Sequence, residues 1–248
     1  MRAFLALLRR EVFGLAISPF VWFLLGLWYL LNALFLLQDL ARPAVQNDLD
    51  LLPMMTFGSS GILVWLLLPA TPPLLTLRLL AEEQRLGTLE SLLTAPIGDL
   101  AIVLAKYLAV CLYFLVFWSG VLGMFLLLAA EGAPLDPARV LGGFTGALGL
   151  SFLFLASGLW TSSWGGNLLF AAGAGAGLNY ALLVLPVLFR NEEGLLGDAA
   201  RAMDLPHMLD SSFASGIVDT YALLYLASLS ALFLFLTWIR LVSRRWVP

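Results

Sequence analysis

Few residues in this chain can do chemistry, and their spacing excludes more than it offers. The chain has 248 residues, 61% apolar and only 12% charged. His207 is the single histidine and sits in no HExxH-type spacing, so a zinc site is not expected. Cys111 is the single cysteine, which permits neither an internal disulfide nor a thiolate cluster. Lys106 is the single lysine. A P-loop needs glycine before that lysine, and Ala105 stands there instead. The chain is therefore expected to bind no metal or cofactor of its own, and any nucleotide energy must come from another subunit. No Ser/His/Asp set or carboxylate pair within an apolar run points to catalysis, and the adjacent Glu82 and Glu83 would point to different faces of a helix. The arginines near each end lack the aromatic interleaving of a nucleic-acid surface and suit anionic lipid heads.

The densest useful polarity is residues 79–99, which carry Glu82, Glu83, Arg85 and Glu90 between two long apolar runs. Leu86, Leu89 and Leu93 fall at helical spacing, with Leu79 a heptad before Leu86, and the glutamates lie mostly off that stripe. This predicts a short amphipathic helix. Gly87-Thr88 interrupts good helix formers, Pro96 and Gly98 stop the element, and Asp99 is placed to cap the next helix. Two readings follow: a helix under a bilayer offering a polar face to a partner, or a solvated loop with no partner.

The elements that position this stretch read as membrane. Typical soluble domains are about a quarter charged, and a core of this size cannot absorb so many apolar residues, so lipid must supply the remainder. The expected fold is an all-α integral membrane protein: one permease-like domain over residues 1–248, with six transmembrane helices. Residues 1–18 form an interfacial helix, with Phe4, Leu5, Leu8, Val12 and Leu15 on one face and the arginines largely on the other. Arg2, Arg9 and Arg10 make this segment unlike a signal peptide. The spans are expected at about residues 20–37, 57–77, 100–130, 140–160, 168–189 and 220–239. Pro69, Pro72 and Pro73 should kink or locally unwind the second. Lys106, near the start of the third, is expected to snorkel to the interface. Gly173 and Gly177 form a GxxxG pair in the fifth, which suits close helix packing within the subunit or against a second copy. Residues 190–219 form the longest polar connection.

Six spans put both termini on one side. That side would hold Arg2, Arg9, Arg10, Arg78, Arg85, Lys106, Arg240, Arg244 and Arg245, against Arg42, Arg139, Arg190 and Arg201 opposite. The excess of positive charge places the termini and residues 79–99 in the cytosol.

Glu83-x-x-x-Gly87-Thr88-Leu89-Glu90-x-Leu92-Leu93-x-x-Pro96 resembles the signature that follows the second span in type-2 ABC exporter permeases. Residues 73–83 are similar to that family's approach to the same helix. Arg9-Arg10-Glu11 with Ser18-Pro19 resembles its N-terminal element, and residues 158–163 its fourth-span ending. Residues 216–219 and Arg244-Arg245-Trp246 resemble the branch of gliding-motility and copper-enzyme-maturation permeases, although that branch often carries a charged residue where this chain has Thr220-Tyr221-Ala222. The resemblance implies an inner, plasma membrane of a bacterium or archaeon, a pair of permeases on two ABC ATPase subunits, and ATP and Mg held by those ATPases. It implies that the helix after the second span docks on the ATPase. Glu82, Glu83, Gly87, Thr88 and Glu90 would form the docking element, Glu83 or Glu90 would pair with partner cations, and Arg9, Arg10 and Glu11 would support the same surface.

Three functions follow from this reading. The first is an export permease without its own ATPase site. The second is a scaffold or force-transmitting subunit that uses the same ATPase but moves no solute. The third, an intramembrane enzyme acting on lipid, has no polar constellation behind it.

Overall fold

The computed structural model describes residues 2–58, 63–93, 97–165 and 167–244. The described residues are helical almost throughout: α1 (Arg2–Ile17), α2 (Pro19–Leu40), α3 (Pro43–Asn47), α4 (Leu52–Phe57), α5 (Thr71–Thr76), α6 (Ala81–Leu86), α7 (Thr88–Leu93), α8 (Asp99–Ala130), α9 (Pro137–Ser162), α10 (Leu168–Phe189), α11 (Leu195–Ala202), α12 (Leu205–Ser211) and α13 (Thr220–Arg244). Pro96, Arg245 and Trp246 lie outside the described residues, as do the side chains of Glu90, Leu93 and Arg244.

Local chemistry sets the helix starts. Ser18 accepts a hydrogen bond from the Val21 amide ahead of Pro19, Asp136 accepts one from Ala138 ahead of Pro137, and Asn167 accepts one from Phe170. Before α8 the cap position belongs to Gly98, and Asp99 is the first helical residue, so the expected Asp99 cap is not what forms.

Five helices, α2, α8, α9, α10 and α13, are long and apolar enough to cross a bilayer. At 1.5 Å per residue the 32 residues of α8 span about 48 Å, well beyond a hydrocarbon core of about 30 Å. Helix α9 is the axis. Two-thirds of its apolar window is buried, against about a fifth for α10, and it packs on α13, α10, α5 and α8. The outward apolar faces of the other long helices are what a lipid environment would cover.

An aromatic stack joins α2, α4 and α8. Trp28 is buried edge-on against Phe114, Phe117 and Trp118 at 5.4–5.9 Å, and Phe57 stacks on Phe125 at 5.3 Å. The buried polar edges are satisfied: Trp28 donates to the Phe117 carbonyl at 2.9 Å and Trp118 to Ser151 Oγ at 2.9 Å.

The expected second span is not one helix. After α4, residues Leu63–Leu67 form a π-helical turn, residues 68–70 a further turn, and only then does α5 begin. Pro72 and Pro73 do not kink a continuous helix. They occupy the first turn of α5, where a missing amide costs nothing, and the break lies just before them, around Pro69. The segment nevertheless runs the length of the molecule. Asp50, before it, accepts from the Asp136 amide, and Glu83, after it, meets Lys106 near the start of α8.

Candidate functional site

The site grows from two stripes. On α1, Leu7, Glu11 and Leu15 recur at four-residue spacing and are buried against α8. Leu5, expected on the buried face, is exposed, so the true stripe is rotated to include Leu7 and a carboxylate. On α8, Ile102, Lys106, Ala109 and Val110 form the answering stripe, with Lys106 fully buried. The expectation that Lys106 snorkels is overturned: α1 lies over it, and its ammonium reaches carboxylates rather than the interface.

Those carboxylates come from two elements. Lys106 Nζ lies 3.2 Å from Glu11 Oε1 and 2.8 Å from Glu83 Oε2. The second contact is short but off the hydrogen-bonding axis of Oε2, so it is an ion contact rather than a directed bond. Arg10 closes the ring from the rim, with Nη2 at 3.0 Å from Glu11 Oε1 and 2.8 Å from Glu83 Oε1. Two cations and two anions balance. Transferring each ion out of water costs several kcal/mol, so a lysine buried here requires both partners in place.

Helix α6 is fixed so that Glu83 faces inward. The Ala81 amide donates to Ser162 Oγ at 3.0 Å, Ser162 Oγ donates to the Thr76 carbonyl at 3.1 Å, and Gln84 donates to the Ser163 carbonyl at 3.3 Å. The end of α9 thus grips α6 on one side while Lys106 holds it on the other. Glu82 points elsewhere and pairs with Arg78 at 3.0 Å.

The amphipathic helix expected over residues 79–99 is two short helices. Gly87 adopts φ +72°, ψ +5°, the left-handed conformation that ends α6, and Thr88 Oγ1 donates to the Glu83 carbonyl at 3.4 Å. The change of direction splits the predicted leucine stripe: Leu79 and Leu89 are buried, whereas Leu86 is 67% exposed. Four consecutive residues, Arg85, Leu86, Gly87 and Thr88, form an exposed corner between buried Ala81 and buried Leu89.

Behind the corner, the broken segment is held by side chains of α9 and α10. Asn179 Nδ2 donates to the Pro69 carbonyl at 3.0 Å and Tyr180 Oη to the Leu66 carbonyl at 2.9 Å. Ser157 donates to Asn179 Oδ1 and so fixes the amide. Gly158 and Gly175 let both helices close on Pro73; a Cβ at Gly158 would meet Pro73 Cα at 3.1 Å. Carbonyls freed by a helix break are tolerated at membrane depth only where such partners cover them.

Of the remaining candidates, Arg9 is exposed, with its guanidinium 5.5 Å from the Phe13 ring centre. Gly173 and Gly177 face outward with open space where a side chain would stand, and Gly175 makes the packing inside the subunit. Among the described residues, no three His, Cys, Asp or Glu side chains gather as a metal site. Sequence reasoning missed Asn179 and the pairing role of Lys106. The signal for each was a lone polar side chain inside an apolar run, where burial demands a partner.

A sequence model of the ABC-2 family transporter proteins matches residues 7–164, from the middle of α1 to just past α9, and so takes in the whole ion cluster. The chain belongs to the ABC-2 transporter family. Comparison with curated proteins gives no match. As an ABC-2 membrane subunit, the protein places its buried ion cluster where the N-terminal helix, the segment after the broken element and the start of α8 meet.

Proposed function

We propose that the protein is the permease subunit of an ABC-2 exporter that draws its energy from a separate ATPase. The observation that carries this reading is the Arg10–Glu11–Glu83–Lys106 ring. It ties α6, the element proposed to meet the ATPase, to α1 and to a membrane-length helix, and α6 continues directly from the broken segment. Movement of α6 would therefore pass to α8 through the ion contacts and to α9 and α10 through the carbonyl contacts. A hinge or shear element biased by a partner's nucleotide state needs such a rigid connection.

In this reading residues 52–80 make the sixth crossing, both termini and the α6–α7 corner lie in the cytosol, and residues 190–219 lie outside. The membrane is the plasma membrane of a bacterium or archaeon. ATP and Mg belong to the ATPase, and a second permease, identical or related, packs on the Gly173/Gly177 face of α10. The gliding-motility and copper-enzyme-maturation branch is the proposed neighbourhood within the family. Glu83 takes a different role from the one first expected: it holds α6 to the permease instead of pairing with a partner cation, because Lys106 and Arg10 already occupy its carboxylate.

The test is reconstitution of the permease with its ATPase in sealed vesicles, measuring ATP hydrolysis and solute movement together. Coupled transport supports the reading. Hydrolysis that responds to the permease while no solute moves favours a force-transmitting subunit. Absence of any ATPase partner removes both.

A further inference from the structure

We infer that the α6–α7 corner, Arg85–Thr88, together with Arg10, is the docking surface for the ATPase and that it fits an acidic notch with an apolar floor. The inference rests on the permease reading above and specifies the chemistry of the partner. A polar helix rich in glutamate suggests an acidic docking face. The structure reverses the sign. Glu11 and Glu83 face inward on Lys106, and Glu82 is spent on Arg78. Among the described side chains of α6 and α7, the charge left standing outward is Arg85. Arg10 joins it at the same end of the molecule: its side chain is 59% exposed although it bridges to Glu83.

Leu86 supplies the anchor. A single exposed leucine means little by itself. This one stands beside an arginine at the tip of a turn, away from the membrane-length helices whose outward leucines lipid would cover. An apolar side chain at the centre of a small surface, ringed by polar contacts, is the usual form of a binding anchor. The left-handed turn at Gly87 projects it, and nothing lies within 4 Å of where a Gly87 side chain would be. Opposite charge on the partner would steer association and make it sensitive to salt.

Permease and ATPase would be purified together from the native membrane in neutral detergent. ATPase retained per permease is read by mass spectrometry of its P-loop peptides as sodium chloride rises. Arg85→Glu and Leu86→Asp should each lower retention at least about tenfold, Arg85→Lys should keep most of it, and Arg201→Glu at the far end should change nothing. Both corner side chains are exposed, so an unchanged gel-filtration profile is expected and reports folding. Retention untouched by Arg85→Glu and Leu86→Asp overturns the inference and leaves the permease reading standing. Retention raised by Arg85→Glu means a basic partner and also overturns it. If Arg85→Glu alters only behaviour in nanodiscs containing phosphatidylglycerol, the corner reads lipid and the inference falls. If the wild-type permease retains no P-loop ATPase, the permease reading itself fails and takes the inference with it.

Discussion

At the residue scale, Lys106 decides the character of the site. A fully buried ammonium with two nearly buried carboxylates is neutral as a set and costly in pieces. Lys106→Met should destabilise the folded protein by about 3–5 kcal/mol, because it leaves Glu11 and Glu83 buried with only the rim cation Arg10. Arg10→Ala, at the exposed edge, should cost about 1 kcal/mol or less. Reversible unfolding of the two variants in the same bilayer mimetic measures the difference; equal effects would mean that the cluster is wetter than its burial implies. Asn179→Leu tests the other connection. It nearly conserves volume but leaves the Pro69 carbonyl without its donor, and a loss of about 1–3 kcal/mol is expected in the same assay.

At the element scale, the corner between α6 and α7 depends on one backbone conformation. Gly87 has a positive φ and open space around it, so Gly87→Ala meets no steric neighbour and is penalised only by its own backbone. The expected cost is about 1 kcal/mol, with α6 driven to continue past its present end. In the reconstituted system this should lower ATP-driven transport more than it lowers unfolding temperature. Equal retention of transport and stability would show that the turn itself is dispensable. The broken segment before α6 obeys similar logic: Pro72 and Pro73 begin α5 rather than bend a longer helix, so the flexible point is the turn ahead of them.

At the scale of the whole molecule, α9 is the axis and α10 is lightly covered. The outward Gly173/Gly177 face is open, so Gly173→Leu and Gly177→Leu should leave the subunit folded. If that face meets a second permease, both variants should abolish crosslinking between copies in the membrane while single-subunit stability stays within about 0.5 kcal/mol. Undiminished crosslinking would move the interface elsewhere. Sidedness is tested by cysteines introduced at exposed Leu86 and exposed Glu192, which should label from opposite faces of sealed cells.

Much of this was legible in the sequence because apolar runs and caps are local. The limits of α8, α9 and α10 follow within a few residues from run length, proline and the Asp136 and Asn167 caps, and the lipid environment follows from composition. The family, too, is a property of the order of motifs along the chain. The tertiary structure alone decided where Glu83 and Lys106 point, because their pairing joins residues far apart in sequence and depends on how α1 lies over α8. It alone decided that Leu86 leaves the buried stripe, since one left-handed glycine changes the direction of everything after it. A periodic pattern assumes an unbroken helix, and a charge pattern counts signs without knowing which are already neutralised. The sequence therefore named the right stretch, and packing determined which of its charges remain for a partner.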